Sequence, residues 1–224
     1  MNMSDNPVKK LLHSINKSTH VADLLDKLGE VALDRLFDND IVKEIPIIGT
    51  AIALLKAGDD FRAYAFVKKV TVFLQEVENV SLEDRDLFFK RYCDNPEKLS
   101  ELGEATLMAL DRIDHPTLAQ MYGRAFAIML KGNEHAWVSF DLHSFTIKNM
   151  NPYLLRNLES YYRSEMICSI DTTAAQALSN YGLINVSTAP RITNDKKAMS
   201  LSYDKTDYGK FFYNRIVKGL PAYA

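Results

Sequence analysis

The chain has 224 residues, 47% hydrophobic and 25% charged, with a formal net charge of −2, nine glycines and seven prolines. That supports one large folded domain, or one domain with an appendage, built from long helices and not from many short strands. It excludes a generally basic chain drawn to nucleic acid or anionic lipid, although residues 149–224 carry nine Lys and Arg against six Asp and Glu.

The N-terminal "MNMSDNPVKKLLHSINK" has no apolar core of the secretory kind. Two distant cysteines, Cys93 and Cys168, form no CxxC and join no Cys/His cluster, so a reducing, cytoplasmic setting is expected. Residues 7–37 show helical spacing, weaker over "NPVKKLLHSI" and stronger where Val21, Leu24, Leu25, Leu28 and Val31 recur. Next comes the most apolar stretch, "IPIIGTAIALLKAGDD". Pro46 suits a first helical turn, and Gly58 with Asp59 and Asp60 reads as a break. A helix of about a dozen residues reaches roughly 18 Å, against about 30 Å for a bilayer core. It is therefore expected in a bundle core. The alternative is a helix lying on a membrane surface over residues 45–57, through Ile47, Ile48, Ile52 and Leu55.

From Asp60 to Val80 the spacing predicts a long helix with Phe61, Val67, Val70, Phe73, Leu74 and Val77 along one broad side. "SLED" from Ser81 has the pattern of a capping box. Asn95-Pro96, His115-Pro116 and Asn151-Pro152 read as caps followed by proline at the first helical position. The segments between these marks each have apolar positions at helical spacing. Gly103 and Gly123 interrupt two of them, a cost accepted where helix backbones cross closely.

After Asp171 the character changes. "DTTAAQALSNYGLINVS" predicts a short helix ending near Gly182 and running into a strand. "APRITNDKKA" reads as a polar loop, "MSLSYDKT" as a strand and "TDYGKFFYNRIV" as a helix. This is the layout of a winged-helix end with Lys196 and Lys197 on the tip of its hairpin.

Chemistry-bearing motifs are missing. His135 and His143, and likewise His13 and His20, are too far apart along a helix to share a metal. No nucleophile elbow and no glycine-rich phosphate loop occurs. No catalytic residue, cofactor or metal ligand is expected. Nucleic-acid contact would fall to Gln176, Asn180, Arg191, Lys196 and Lys197. The candidate reading helix, "TTAAQALSNYG", carries no cation, and phosphate contacts supply most of the affinity for DNA, so packing or protein contact is favoured over base reading.

"IPIIGTAIALLKAGDDFRAYAFVKKVTVFLQEV", "LGEATLMALDRID" and "YGRAFAIMLKG" resemble stretches of a group of uncharacterised bacterial helical proteins, over roughly residues 40 to 165. In general pattern the chain is also similar to the alpha-type abortive-infection proteins of phage defence. Neither resemblance implies a catalytic residue.

The expectation is a mainly α fold: a multi-helix bundle over residues 1–165 and a winged-helix-like α/β appendage over 166–224. The expected function is non-enzymatic contact with a protein partner or self-association, in phage defence or a stress response. The alternatives are a DNA-binding regulator and a membrane-surface effector.

Overall fold

Helices begin where short polar side chains take up the unpaired amides of a first turn. In the computed structural model the first unit contains α1 (Pro7–Lys17), α2 (Pro46–Leu55), α3 (Asp60–Glu78), α4 (Leu82–Tyr92), α5 (Pro96–Arg112), α6 (Pro116–Lys131) and α7 (Ala136–Lys148). Asn6 Oδ1 accepts from Val8 N at 2.9 Å and Asn95 Oδ1 from Glu97 N at 2.8 Å. His115 Nδ1 accepts from Thr117 N at 3.2 Å. Ser81 Oγ accepts from Asp84 N at 3.1 Å, the serine half of the expected box, and donates to Asp84 Oδ2 at 2.8 Å.

The structure describes residues 6–19, 21, 45–55, 60–92, 95–132, 135–164, 170–193 and 196–221. Only the backbone is described for 51–55, 60, 61, 63, 92, 189–193 and 196–200. The helical spacing expected over 22–37, the break at Gly58 and Asp59, and Cys93 and Cys168 lie outside the described residues. The chain divides into two compact units, Met1–Lys148 and Asn149–Ala224. This division falls earlier than the expected boundary at 165, so the helix Pro152–Arg163 groups with the second unit.

In the first unit α3 and α6 form the central pair, with α2 against α3, α7 against α6, and α1 against α2, α4 and α5. Four rings fill the space between α3, α6 and α7. Phe73 meets Phe126 edge-on at 5.4 Å and Tyr122 at 5.8 Å, and both meet Phe140 at 5.5 Å. Gly123 stands between Tyr122 and Phe126 and lets α6 lie directly on α3. A Cβ there would be 2.6 Å from Phe73 O and 3.1 Å from Phe73 Cα. Gly103 likewise meets α1, at Val8 and Leu12. Both glycines therefore sit at helix crossings. An exposed helical glycine gains about 1 kcal/mol on change to alanine. Gly123→Ala is expected to do the reverse and lower stability by about 2 kcal/mol, because the added methyl meets a backbone carbonyl that cannot rotate away. Urea denaturation checks the sign.

The α7 face turned toward this core is partly polar: His143 is 4% exposed and Ser144 6%. Burial pushes the Tyr122 phenol up to about 12, against the opposing pull of hydrogen bonds with Ser144 and Thr106. Burial pushes the His143 imidazole down to about 4, so it is neutral when folded. The unfolded chain takes up that proton near pH 6.5. The folded state thus binds fewer protons, and stability falls as the pH drops from about 6.5 to about 4, by up to ~3 kcal/mol. Melting curves recorded across this window should show a steeper loss for the wild type than for His143→Gln.

The second unit contains α8 (Pro152–Arg163), α9 (Thr172–Asn180), β1 (Ile184–Thr193), β2 (Lys196–Lys205) and α10 (Asp207–Phe211), which continues as a π-helical stretch, Phe212–Val217. Asn151 Oδ1 accepts from Leu154 N, and Asp171 Oδ1 accepts from Ala174 N, both at 2.9 Å. The strands pair antiparallel from Ile184↔Lys205 to Thr193↔Lys196. The polar loop expected over 189–198 is thus mostly ladder, a ribbon of ten residues a side and about 33 Å long. Pro190 is tolerated because each strand of a two-stranded ribbon is an edge, where a missing N–H can fall on the unpaired side.

Candidate functional site

The base of the ribbon is locked by hydroxyl groups. Gly182 takes φ of +71°, a left-handed value suited to glycine, and ends α9. The Tyr162 hydroxyl donates to Leu183 O at 2.5 Å and the Tyr161 hydroxyl to Tyr203 O at 2.7 Å. Thr206 Oγ1 donates to Gly182 O at 2.6 Å and accepts from Gly209 N at 2.9 Å, so one side chain ties the end of α9 to the start of α10. Burial pushes the Tyr162 phenol up to about 12. Lys205 Nζ donates to Tyr162 O at 3.2 Å and Ser164 O at 2.9 Å, and lies 5.5 Å from the Tyr162 ring centroid.

Beyond the base the ribbon is open. Leu201 is 50% exposed, and Asn185, Ser187 and Thr188 are exposed. Gln176 and Asn180 share an exposed face of α9, with Gln176 Nε2 donating to Asn180 Oδ1 at 3.5 Å. The register sets Arg191 opposite Ala198, Lys197 opposite Ile192 and Lys196 opposite Thr193. Alternate rungs share a face, so the rungs of Arg191 and Lys196 fall on one face and that of Lys197 on the other. Sequence reading missed a groove of about 350 Å³ on α8, lined by Arg156, Glu159, Ser160, Arg163 and Ser164. Its signal was available: two arginines seven residues apart on a capped helix.

In the first unit Ile47 is 2% exposed and Ile48 fully buried, as a core helix requires. A helix lying on a bilayer would leave both open, so that use of Ile47 and Ile48 is set aside. The side chains of Ile52 and Leu55 lie outside the description. Among the described residues no helix is long and apolar enough to cross a membrane. Among them, too, no group of three His, Cys, Asp or Glu side chains is placed to hold a metal ion.

The most unusual surface is on α7. Phe140, His143, Ser144 and Ile147 face the core, while Val138 is 72% exposed, Leu142 45% and Phe145 52%. These three recur at i, i+4 and i+7, so they share one face. The helix carries large apolar residues on both faces, with polar groups among the inward ones, unlike the usual surface helix. Sequence reading recognised the helix but not this face, because both faces carry apolar residues at the same period.

Comparison with protein-family models, with curated proteins and with solved structures finds no match for this chain.

Proposed function

We propose that this chain is a non-enzymatic bacterial protein, cytoplasmic, that works through contacts with another protein molecule in phage defence or a stress response. The observation that carries this reading is the outward apolar face of α7. Val138, Leu142 and Phe145 expose large apolar surface on one face, and exposed apolar patches on folded proteins mark contact sites. The setting in phage defence follows the resemblance to abortive-infection proteins. A photo-crosslinking residue placed at position 142 in living bacteria tests the contact. Protein cross-links that rise on phage challenge are the expected result. Absence of any protein cross-link sinks the reading.

A second reading is a winged-helix DNA-binding regulator. It is supported by the order α9, β1, β2, α10 and by the exposed Gln176 and Asn180. Its signature is duplex binding that weakens steeply with salt and weakens further with Lys196→Ala and Lys197→Ala. Binding that is absent at low salt rejects it.

A further inference from the structure

Among the described residues, three buried side-chain atoms have no hydrogen-bond partner in the protein: Asn16 Oδ1, Ser18 Oγ and Arg85 Nε. All three belong to residues that meet at the end of α1. Arg85 reaches that end from α4, and its Nη1 donates to Ile15 O at 2.9 Å and to Ser18 O at 3.1 Å. Asn16 stands in the chain between those two residues. Arg85 is 2% exposed and Ser18 8%, so bulk solvent does not serve them. The carboxylate of Glu78, which favours the charged guanidinium, accepts from Val21 N at 3.0 Å. Folded proteins leave few buried polar atoms unpaired, because the loss of hydration is not repaid. Three such atoms scattered over the chain would need three explanations. Gathered at one helix end, they need one shared partner.

The groups define that partner. Arg85 Nε can only donate, and Asn16 Oδ1 can only accept. The bound molecule must therefore accept one hydrogen bond and donate another, while Ser18 Oγ can do either. The guanidinium repels a cation. The last carbonyls of α1, at the negative end of its dipole, repel an anion, and so does Asn16 Oδ1. Buried waters typically make about three hydrogen bonds to groups of this kind. We infer that one ordered water is bound at the end of α1, accepting from Arg85 Nε and donating to Asn16 Oδ1 and Ser18 Oγ. Water is then part of the seam between α1 and α4. The arginine serves the helix's carbonyls directly and two of its side chains through the water.

Crystals of the full chain grown in sodium bromide, at a resolution that shows ordered water, test this. The expected result is a peak of oxygen weight within hydrogen-bond distance of Arg85 Nε, Ser18 Oγ and Asn16 Oδ1, with no anomalous signal from bromide. An anomalous peak makes it an anion site and overturns the inference, as does the lack of any peak there. Urea denaturation of Ser18→Ala gives an independent test by its sign. Ser18 lies just past the last helical residue, so alanine gains nothing there from helix propensity. If the hydroxyl were unpaired, its removal would raise stability. With the water in place the change removes one of its acceptors, and the folding constant should fall roughly fivefold. A folding constant that is unchanged or raised overturns the inference.

Discussion

Gly209→Ala is expected to unfold much of the second unit. Gly209 lies in the first turn of α10, where its N–H is held by Thr206 Oγ1 at 2.9 Å. A Cβ at this position would stand 2.0 Å from Leu183 O and 1.9 Å from the Tyr162 hydroxyl. Neither neighbour is free to yield. Leu183 O belongs to the chain entering β1, already accepts from Tyr162 at 2.5 Å and lies 3.1 Å from Thr206 Oγ1. The Tyr162 ring is stacked on Tyr213 at 5.2 Å, in the π-helical stretch. Making room for one methyl therefore means parting α10 from the base of the ribbon. Ordinary overpacking costs about 1–3 kcal/mol, and a rigid backbone carbonyl places this case near 4 kcal/mol. That is a large share of the stability of a small unit. Loss of the near-ultraviolet signal of the tyrosine cluster and a lowered urea midpoint would show it. An unchanged midpoint would mean that α10 rests on the ribbon less tightly than these distances require.

The parts of the fold legible in the sequence are local ones. Asn95, His115 and Asn151 each stand one residue before a proline, and Ser81 three before Asp84, so helix starts are readable within four residues of chain. The crossing at Gly123 was legible because glycine inside a helix needs a reason. The ribbon was only half legible. Ile184 and Val186 read as a strand, but Pro190, Lys196 and Lys197 imitate a loop, and only pairing across the ribbon extends the strands through them. The outward face of α7 was hidden for a different reason. Periodicity finds apolar stripes, and choosing the one that faces inward requires knowing where α6 lies. The cations at helix ends were hidden by distance along the chain: Lys69 meets Ile113 O, 44 residues away, and Arg85 meets Ile15 O, 70 residues away.

Those cations form a recurring arrangement. Lys69 Nζ donates to Asp111 O and Ile113 O at the end of α5, and Lys205 Nζ to Tyr162 O and Ser164 O at the end of α8. Lys131 Nζ donates to Asn79 O just past α3. Each places positive charge on the negative end of a helix and satisfies carbonyls that have no partner within it. Burial lowers the Lys69 pKa while Asp111 and Asp114 raise it, the carboxylates favouring the ammonium in a site that otherwise disfavours charge.

Arg85 is the most buried of these groups, and its removal is the second large effect expected. It is 2% exposed, and its Nη1 donates to Ile15 O at 2.9 Å and Ser18 O at 3.1 Å, closing the end of α1. Burial pushes its pKa down and Glu78 pushes it up. Arg85→Met keeps most of the packing volume but leaves both carbonyls without their donor, at about 1–3 kcal/mol each. Relief from burying a charge offsets part of this, and so does Nε, which has no hydrogen-bond partner. The net loss is expected near 4 kcal/mol. Arg85→Lys retains a cation and one donor direction and should lose about half as much. α1 packs against α2, α4 and α5, so the loss should extend beyond one helix end. Hydrogen exchange should show amides of all four helices opening together in Arg85→Met. Exchange confined to the last turn of α1 would show that the arginine closes a helix end without holding the bundle.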